Sequence, residues 1–129
     1  MNKLKIRNFR GVFMRDELPP VPNIIECGII NLNRSEQPGS HWTAYYKDKT
    51  TKIYFDSYGS AKPPKELVQY LGGKNLLYNE TRIQNYTDDP ICGHLCLIVL
   101  DFLSNQSLSF IDTIRRLELN KYFWIHKML

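Results

Sequence analysis

Apolar, β-branched and aromatic runs alternate along this chain with clusters of Pro, Gly, Asn and Asp, and their periods separate strands from helices. Residues 11–23 carry Gly11, Pro19, Pro20 and Pro22 and predict an extended loop. Ile24 to Leu32 is apolar and β-branched and predicts a buried strand, followed by a loop from Asn33 to Ser40. Trp42 to Tyr46 and Lys52 to Phe55 flank Lys47–Thr51 and predict a hairpin, ended by Ser57-Tyr58-Gly59-Ser60. Pro63-Pro64 opens a short helix that runs to about Leu71 and stops at Gly72-Gly73. Lys74 to Gln84 alternates loosely and predicts a further strand, with a loop from Asn85 to Asp88. Ile91 to Leu103 is apolar on nearly every side and predicts a central buried helix; a last helix is expected around Phe110 to Asn120. One buried helix set against strands is the α+β class.

Composition narrows this picture. The 129 residues suggest one domain over 1–129, long enough to bury a core without disulfides. Apolar content of 43% and charged content of 23% are ordinary for a globular chain, and no apolar run reaches the length of a bilayer span. The start, Met1-Asn2-Lys3-Leu4-Lys5-Ile6-Arg7, is alternating and basic, unlike a signal-peptide core. Three cysteines do not make a disulfide framework, so reduced thiols inside a cell are expected, in nucleus or cytoplasm. The net charge is +4, with Lys3, Lys5, Arg7 and Arg10 at one end and Arg115, Arg116, Lys121 and Lys127 towards the other. Such termini read first as solvated surface, and secondly as a weak attraction for nucleic acid or an acidic partner. A monomer without a membrane association is expected.

The chemistry lies in four residues in order: His41, Asp56, Gln84 and Cys92. A hairpin turn centred between Asp48 and Lys49 would set His41 directly opposite Asp56, within reach of a shared hydrogen bond. The carboxylate would then fix the imidazole tautomer and favour the imidazolium. Asp89-Pro90 is a helix-start signal, with Asp89 as N-cap and Pro90 as first helical residue. Cys92 would fall third, inside the first turn, where free N–H groups and the positive helix end favour a thiolate. Gln84, at the end of a strand, could aim its amide at the oxygen of a tetrahedral intermediate. Taken singly, each of these is an ordinary surface or core residue; the combination points to nucleophilic catalysis.

These segments resemble the adenovirus-type cysteine proteases and the wider clan that includes proteases of SUMO and other ubiquitin-like proteins. The likeness runs from Gly11-Val12-Phe13, through His41-Trp42-Thr43-Ala44 and Tyr54-Phe55-Asp56-Ser57-Tyr58-Gly59, to Gln84 and the Cys-Gly-x-x-Cys box Cys92-Gly93-His94-Leu95-Cys96. The resemblance implies a papain-like-clan core, with a central helix carrying the nucleophile on a small mixed or antiparallel sheet. It implies a cysteine endopeptidase with a Cys92–His41–Asp56 triad and a Gln84 oxyanion hole. Trp42 would wall the substrate site, and the partner would be a protein or peptide, often cut beside glycine. The implied setting is the virus-like branch, virion association included, where members mature precursor proteins. The chain is abbreviated beside both families. No cysteine lies between Asp56 and Cys92, so activation by a disulfide-linked peptide is not expected, nor is any cofactor.

Three other readings stand beside this one. The chain could act on ubiquitin-like proteins, or be a degenerate relative that only binds a protein. Cys92, His94 and Cys96 could also hold a metal, but residues i and i+2 face apart on a helix, which ranks that reading last.

Overall fold

The computed structural model describes residues 5–36, 41–59, 62–73, 75–84 and 91–128. It is α+β. Five strands form one mixed sheet in the order β1-β2-β3-β4-β5: Phe9–Met14, Glu26–Asn31, Trp42–Lys47, Lys52–Phe55 and Leu76–Tyr78. β1 runs parallel to β2, β2 and β3 are antiparallel, β3 and β4 form the hairpin, and β5 returns parallel to β4. The crossover from β4 to β5 carries α1, Lys65–Tyr70. Then follow α2, Cys92–Leu100, a π-helical turn over Asp101–Asn105, and α3, Phe110–Met128.

Side-chain alternation on the strands builds two cores. Cys27, Ile29, Ala44, Ile53 and Phe55 point to one face and pack with Leu95, Val99 and Leu100 of α2 and Leu117 of α3. Ile30, Tyr45 and Tyr54 point to the other face and pack with Leu67 and Leu71, in and just after α1. The sheet is thus covered on both sides, which explains the near-continuous burial of β2. Within β2, Glu26 is fully buried, and its carboxylate is satisfied by Arg10 at 2.9 Å, Tyr70 at 2.8 Å, the Asn23 N–H at 2.7 Å and the Tyr45 hydroxyl. A buried charge needs such a set of donors. Among the described residues, no helix is long and apolar enough to cross a membrane.

Several boundaries differ from the sequence expectation. The loop expected over 11–23 begins inside β1, which pairs with β2 despite a register irregularity between Phe9 and Gly11, where Gly11 has φ of 150°. The strand expected over Lys74–Gln84 shrinks to Leu76–Tyr78, because the chain then leaves the sheet to approach Asp56 and Ser57. The last helix continues past Asn120 through a kink (φ −165°, ψ 75°). The Asn85–Asp88 loop and the Asp89-Pro90 start signal lie outside the described residues. α2 itself starts at Cys92, with Ile91 in the N-cap position.

Candidate active site

The hairpin brings His41 and Asp56 together, by a register other than the expected one. Its turn is centred between Lys49 and Thr50, with Lys47 opposite Lys52 and Ala44 opposite Phe55. Asp48 closes it, its carboxylate accepting the N–H of Thr50 at 3.0 Å and of Thr51 at 2.8 Å. The ladder therefore heads His41 towards Tyr58 and leaves Asp56 on the diagonal. The shift of two preserves the face, because strand side chains alternate with period two. Diagonal neighbours lie about 7–8 Å apart at the backbone, within reach of an imidazole. His41 Nε2 and Asp56 Oδ1 are 2.6 Å apart, with the two side chains 15% and 2% exposed.

Three neighbours hold Asp56, one through its carboxylate and two through its main chain. The Tyr58 N–H donates to Asp56 Oδ1 at 3.0 Å. Asn79 spans the Asp56 main chain: its Oδ1 accepts the Asp56 N–H at 3.0 Å and its Nδ2 donates to the Asp56 carbonyl at 2.6 Å. The Gly59 N–H returns to the same carbonyl at 2.8 Å, so residues 56–59 form a tight turn.

Cys92 sits half-buried as the first residue of α2, two positions earlier in the helix than the Asp89-Pro90 signal implied. The consequence is the same, since the first N–H groups of a helix lack intrahelical acceptors. Burial raises the Cys92 thiol pKa, but hydrogen bonds from His41 and from the main-chain N–H groups of Trp42 and Gly93 bring it below the ordinary value of a thiol. Burial likewise pulls His41 down, but hydrogen bonding to Asp56 and Cys92, with the charges on both, lifts it to about 9. With Nε2 on Asp56, Nδ1 is the ring nitrogen left to face the sulfur. The arrangement favours a thiolate–imidazolium pair.

The other cysteines differ. Cys96 is fully buried, its thiol donates to the Trp42 carbonyl at 3.4 Å, and burial raises its pKa. Burial pushes Cys27 up to about 12. His94, two residues from each of the metal reading's other ligands, Cys92 and Cys96, is exposed on the first turn of α2.

Gln84 is buried, and its Oε1 accepts a hydrogen bond from Ser57 Oγ at 2.7 Å. Its main chain is tied to the same residue, since the N–H groups of Ile83 and Gln84 both donate to the Ser57 carbonyl at 2.8 Å. Trp42 lines a cleft of about 480 Å³ with Val12, Ile29, Cys92, Gly93, His94 and Leu97, beside the sulfur. A larger groove of about 800 Å³ lies between β5 and α3 and contains none of His41, Asp56, Gln84 and Cys92.

Ser57, Tyr58 and Asn79 also support the site, although the sequence pattern assigns them no role. The first two looked like turn residues, and Asn79 lay inside an expected strand. A buried Asn in a β segment is a recognisable signal, because it must find partners for both ends of its amide.

No family model matches the chain, and no curated protein matches it. Among solved structures, the chain is similar to the SUMO protease Ulp1 with its catalytic cysteine oxidised to a sulfinic acid, at 20% identity and a TM-score of 0.46. That match covers 82% of this chain and 52% of the other, so the chain spans about half the length of that structure.

Proposed function

We propose that this chain is a cysteine endopeptidase that cleaves peptide bonds in protein precursors in the manner of the adenovirus-type proteases. The observation that carries the reading is His41, which joins Asp56 at 2.6 Å on one side and hydrogen-bonds Cys92 on the other. The Cys92 thiolate attacks the peptide carbonyl, and its electron pair forms the carbon–sulfur bond. The developing oxyanion is met by the Cys92 N–H and the Gln84 amide, each worth roughly 3 kcal/mol where such donors have been deleted. His41, as imidazolium, gives its proton to the leaving amine as the carbon–nitrogen bond breaks. As neutral base it then takes a proton from water, which attacks the thioester and releases Cys92. Asp56 keeps the ring in one tautomer throughout.

The Trp42-lined cleft beside Cys92 would take the substrate segment flanking the scissile bond. Glycine beside that bond is the expected preference. A ubiquitin-like protein ending in glycine would use the same chemistry, so the two substrate classes differ at the surface that docks the folded part. The proposed unit is the chain of 129 residues.

The test is labelling by a peptide with a C-terminal glycine vinyl ester electrophile, followed by peptide mass mapping. An adduct on Cys92 that disappears in His41→Ala is the expected result. A Cys92 that stays unlabelled while folded overturns the reading in favour of a binding module. Parallel labelling with a full ubiquitin-like probe separates the two substrate classes.

A further inference from the structure

We infer that Tyr58 is a positioning residue, whose ring holds His41 in plane while its main-chain N–H holds the Asp56 oxygen that His41 uses. The inference rests on the protease reading above. The two rings stack with centroids 4.7 Å apart and planes 30° from parallel. Asp56 Oδ1 takes both the Tyr58 N–H, at 3.0 Å, and His41 Nε2, at 2.6 Å. One residue thus touches both members of the pair.

The geometry explains why a third contact is needed. Asp56 and Cys92 both hydrogen-bond the imidazole, and a hydrogen bond made by a ring nitrogen is directed in the plane of the ring. Two such bonds resist sliding within the ring plane but only weakly resist the ring rocking out of it. A tilt of that kind swings the Nδ1 proton off the sulfur and off the leaving nitrogen. An aromatic face packed on the imidazole removes this freedom. It also places an electron-rich surface against the ring in its charged form, which favours the imidazolium over the neutral base.

The turn of residues 56–59 makes this placement possible. Its closing bond runs from the Gly59 N–H to the Asp56 carbonyl at 2.8 Å, which folds Tyr58 back over the end of β3. The ladder direction, with Ala44 opposite Phe55, sends His41 to the same spot from the other strand. The contact with His41 is made by the Tyr58 ring.

The groups that bear on the His41 titration are Asp56 after β4 and Cys92 at the start of α2. Cys96, one turn further along α2, is kept a neutral thiol by burial and by the charge on Cys92, and His94 lines the same cleft. A substitution at Tyr58 leaves all of them in place.

The experiment compares wild type, Tyr58→Leu, Tyr58→Phe and His41→Ala. Each is alkylated at Cys92 with iodoacetamide from pH 4 to 9, and turnover of a glycine-containing fluorogenic peptide is measured. In Tyr58→Leu, the alkylation midpoint rises by about half a pH unit, the size expected when a cation–aromatic contact is lost. Its kcat falls roughly tenfold with KM within about twofold, as for a misplaced catalytic group. Tyr58→Phe restores both. A merely structural ring would alter melting temperature and leave the midpoint alone.

A Tyr58→Leu curve that overlays wild type, with unchanged kcat, overturns the role of Tyr58 and leaves the protease reading intact. A wild-type Cys92 that alkylates only as a free thiol overturns both. Should Tyr58→Leu not fold, two measurements on folded proteins decide. Nuclear Overhauser contacts between the Tyr58 and His41 rings in the wild type support the stack, and their absence overturns it. A Tyr58→Phe midpoint equal to wild type supports the ring as the agent, and a shifted midpoint overturns that assignment.

Discussion

Ser57 donates its hydroxyl hydrogen to Gln84 Oε1 at 2.7 Å, with both side chains buried. The bond settles which end of the amide Ser57 occupies, and Nε2 becomes the end turned away from it. On the proposed reading Gln84 is an oxyanion donor, and such a donor must be oriented before charge develops, because reorientation during reaction costs free energy. Ser57→Ala is therefore expected to lower kcat roughly tenfold, less than the 10²–10³ typical of deleting such a donor outright. It leaves Cys92 alkylation unmoved along the pH axis, since Ser57 does not touch the sulfur. Steady-state kinetics beside the alkylation profile check this, and a shifted profile would assign Ser57 to the triad instead.

His41 gives a titration with a worked sign. Burial alone would put its pKa below 6.5, and the bonds to Asp56 and Cys92 reverse that and lift it to about 9. Cys92→Ala removes one of the two partners, so the pKa falls towards 6.5. Cys92→Ala combined with Asp56→Asn leaves burial as the main influence, and the pKa falls below 6.5. Nuclear magnetic resonance of the imidazole protons against pH measures all three. Because the folded value lies above the unfolded one, the contribution of this group to stability is complete below about pH 6.5. It is lost as the pH climbs through about 9. A double variant that still titrates well above 6.5 would show that other charges hold the ring.

The parts of this structure carried by local chemistry were legible in the sequence. The hairpin, α1 and the buried helix behind Cys92 follow from aromatic runs, Pro-Pro and Gly-Gly punctuation, and an unbroken apolar stretch. The face shared by His41 and Asp56 was also legible, because any even register shift preserves it, although the turn lies one residue later than its composition suggested. What was hidden depends on partners distant in sequence. β1 is a strand because β2 lies beside it, although its own stretch carries Gly11 and leads into prolines. Asn79 serves Asp56 from 23 residues away, a relation no local pattern encodes. Tyr58 and Ser57 looked like spacer residues in a turn, and it is the turn that gives them their targets.

Asn79 supplies a test of the Asp56 support. Its amide makes three bonds: to the Asp56 N–H, to the Asp56 carbonyl, and to the Thr81 carbonyl at 3.1 Å. Asn79→Ala leaves an N–H and two carbonyls to find other partners near the buried Asp56. A loss of about 1–3 kcal/mol in unfolding free energy is expected, read from denaturant melts. Asn79→Asp keeps the acceptor and replaces the donor by a carboxylate oxygen aimed at two carbonyls. It is expected to destabilise more than Ala, and to move Cys92 alkylation to higher pH as Asp56 loses its fixed position. An Asp variant as stable as wild type would mean that the amide orientation is reversed.

Gly59 separates two causes that are often confused. Its φ is +63°, a conformation that costs an ordinary residue roughly 1–2 kcal/mol and Asn rather less. A Cβ built there would also stand 2.5 Å from the Thr81 carbonyl oxygen and 2.9 Å from that of Glu80, main-chain atoms that cannot swing away. Gly73 is the natural control, with φ of +78° and nothing within 4 Å of its Cβ position. Gly73→Asn tests the backbone cost alone and is expected to be nearly neutral in a thermal melt. Gly59→Asn tests the steric cost, and a loss of roughly 2–4 kcal/mol is expected, in the range of other strained or overpacked sites. The second variant also pries residues 56–59 away from Thr81, so it should lower kcat along with stability. If Gly59→Asn proves as mild as Gly73→Asn, the approach of the two loops is looser than the structure shows, and the turn that carries Asp56, Ser57 and Tyr58 is not pinned from this side.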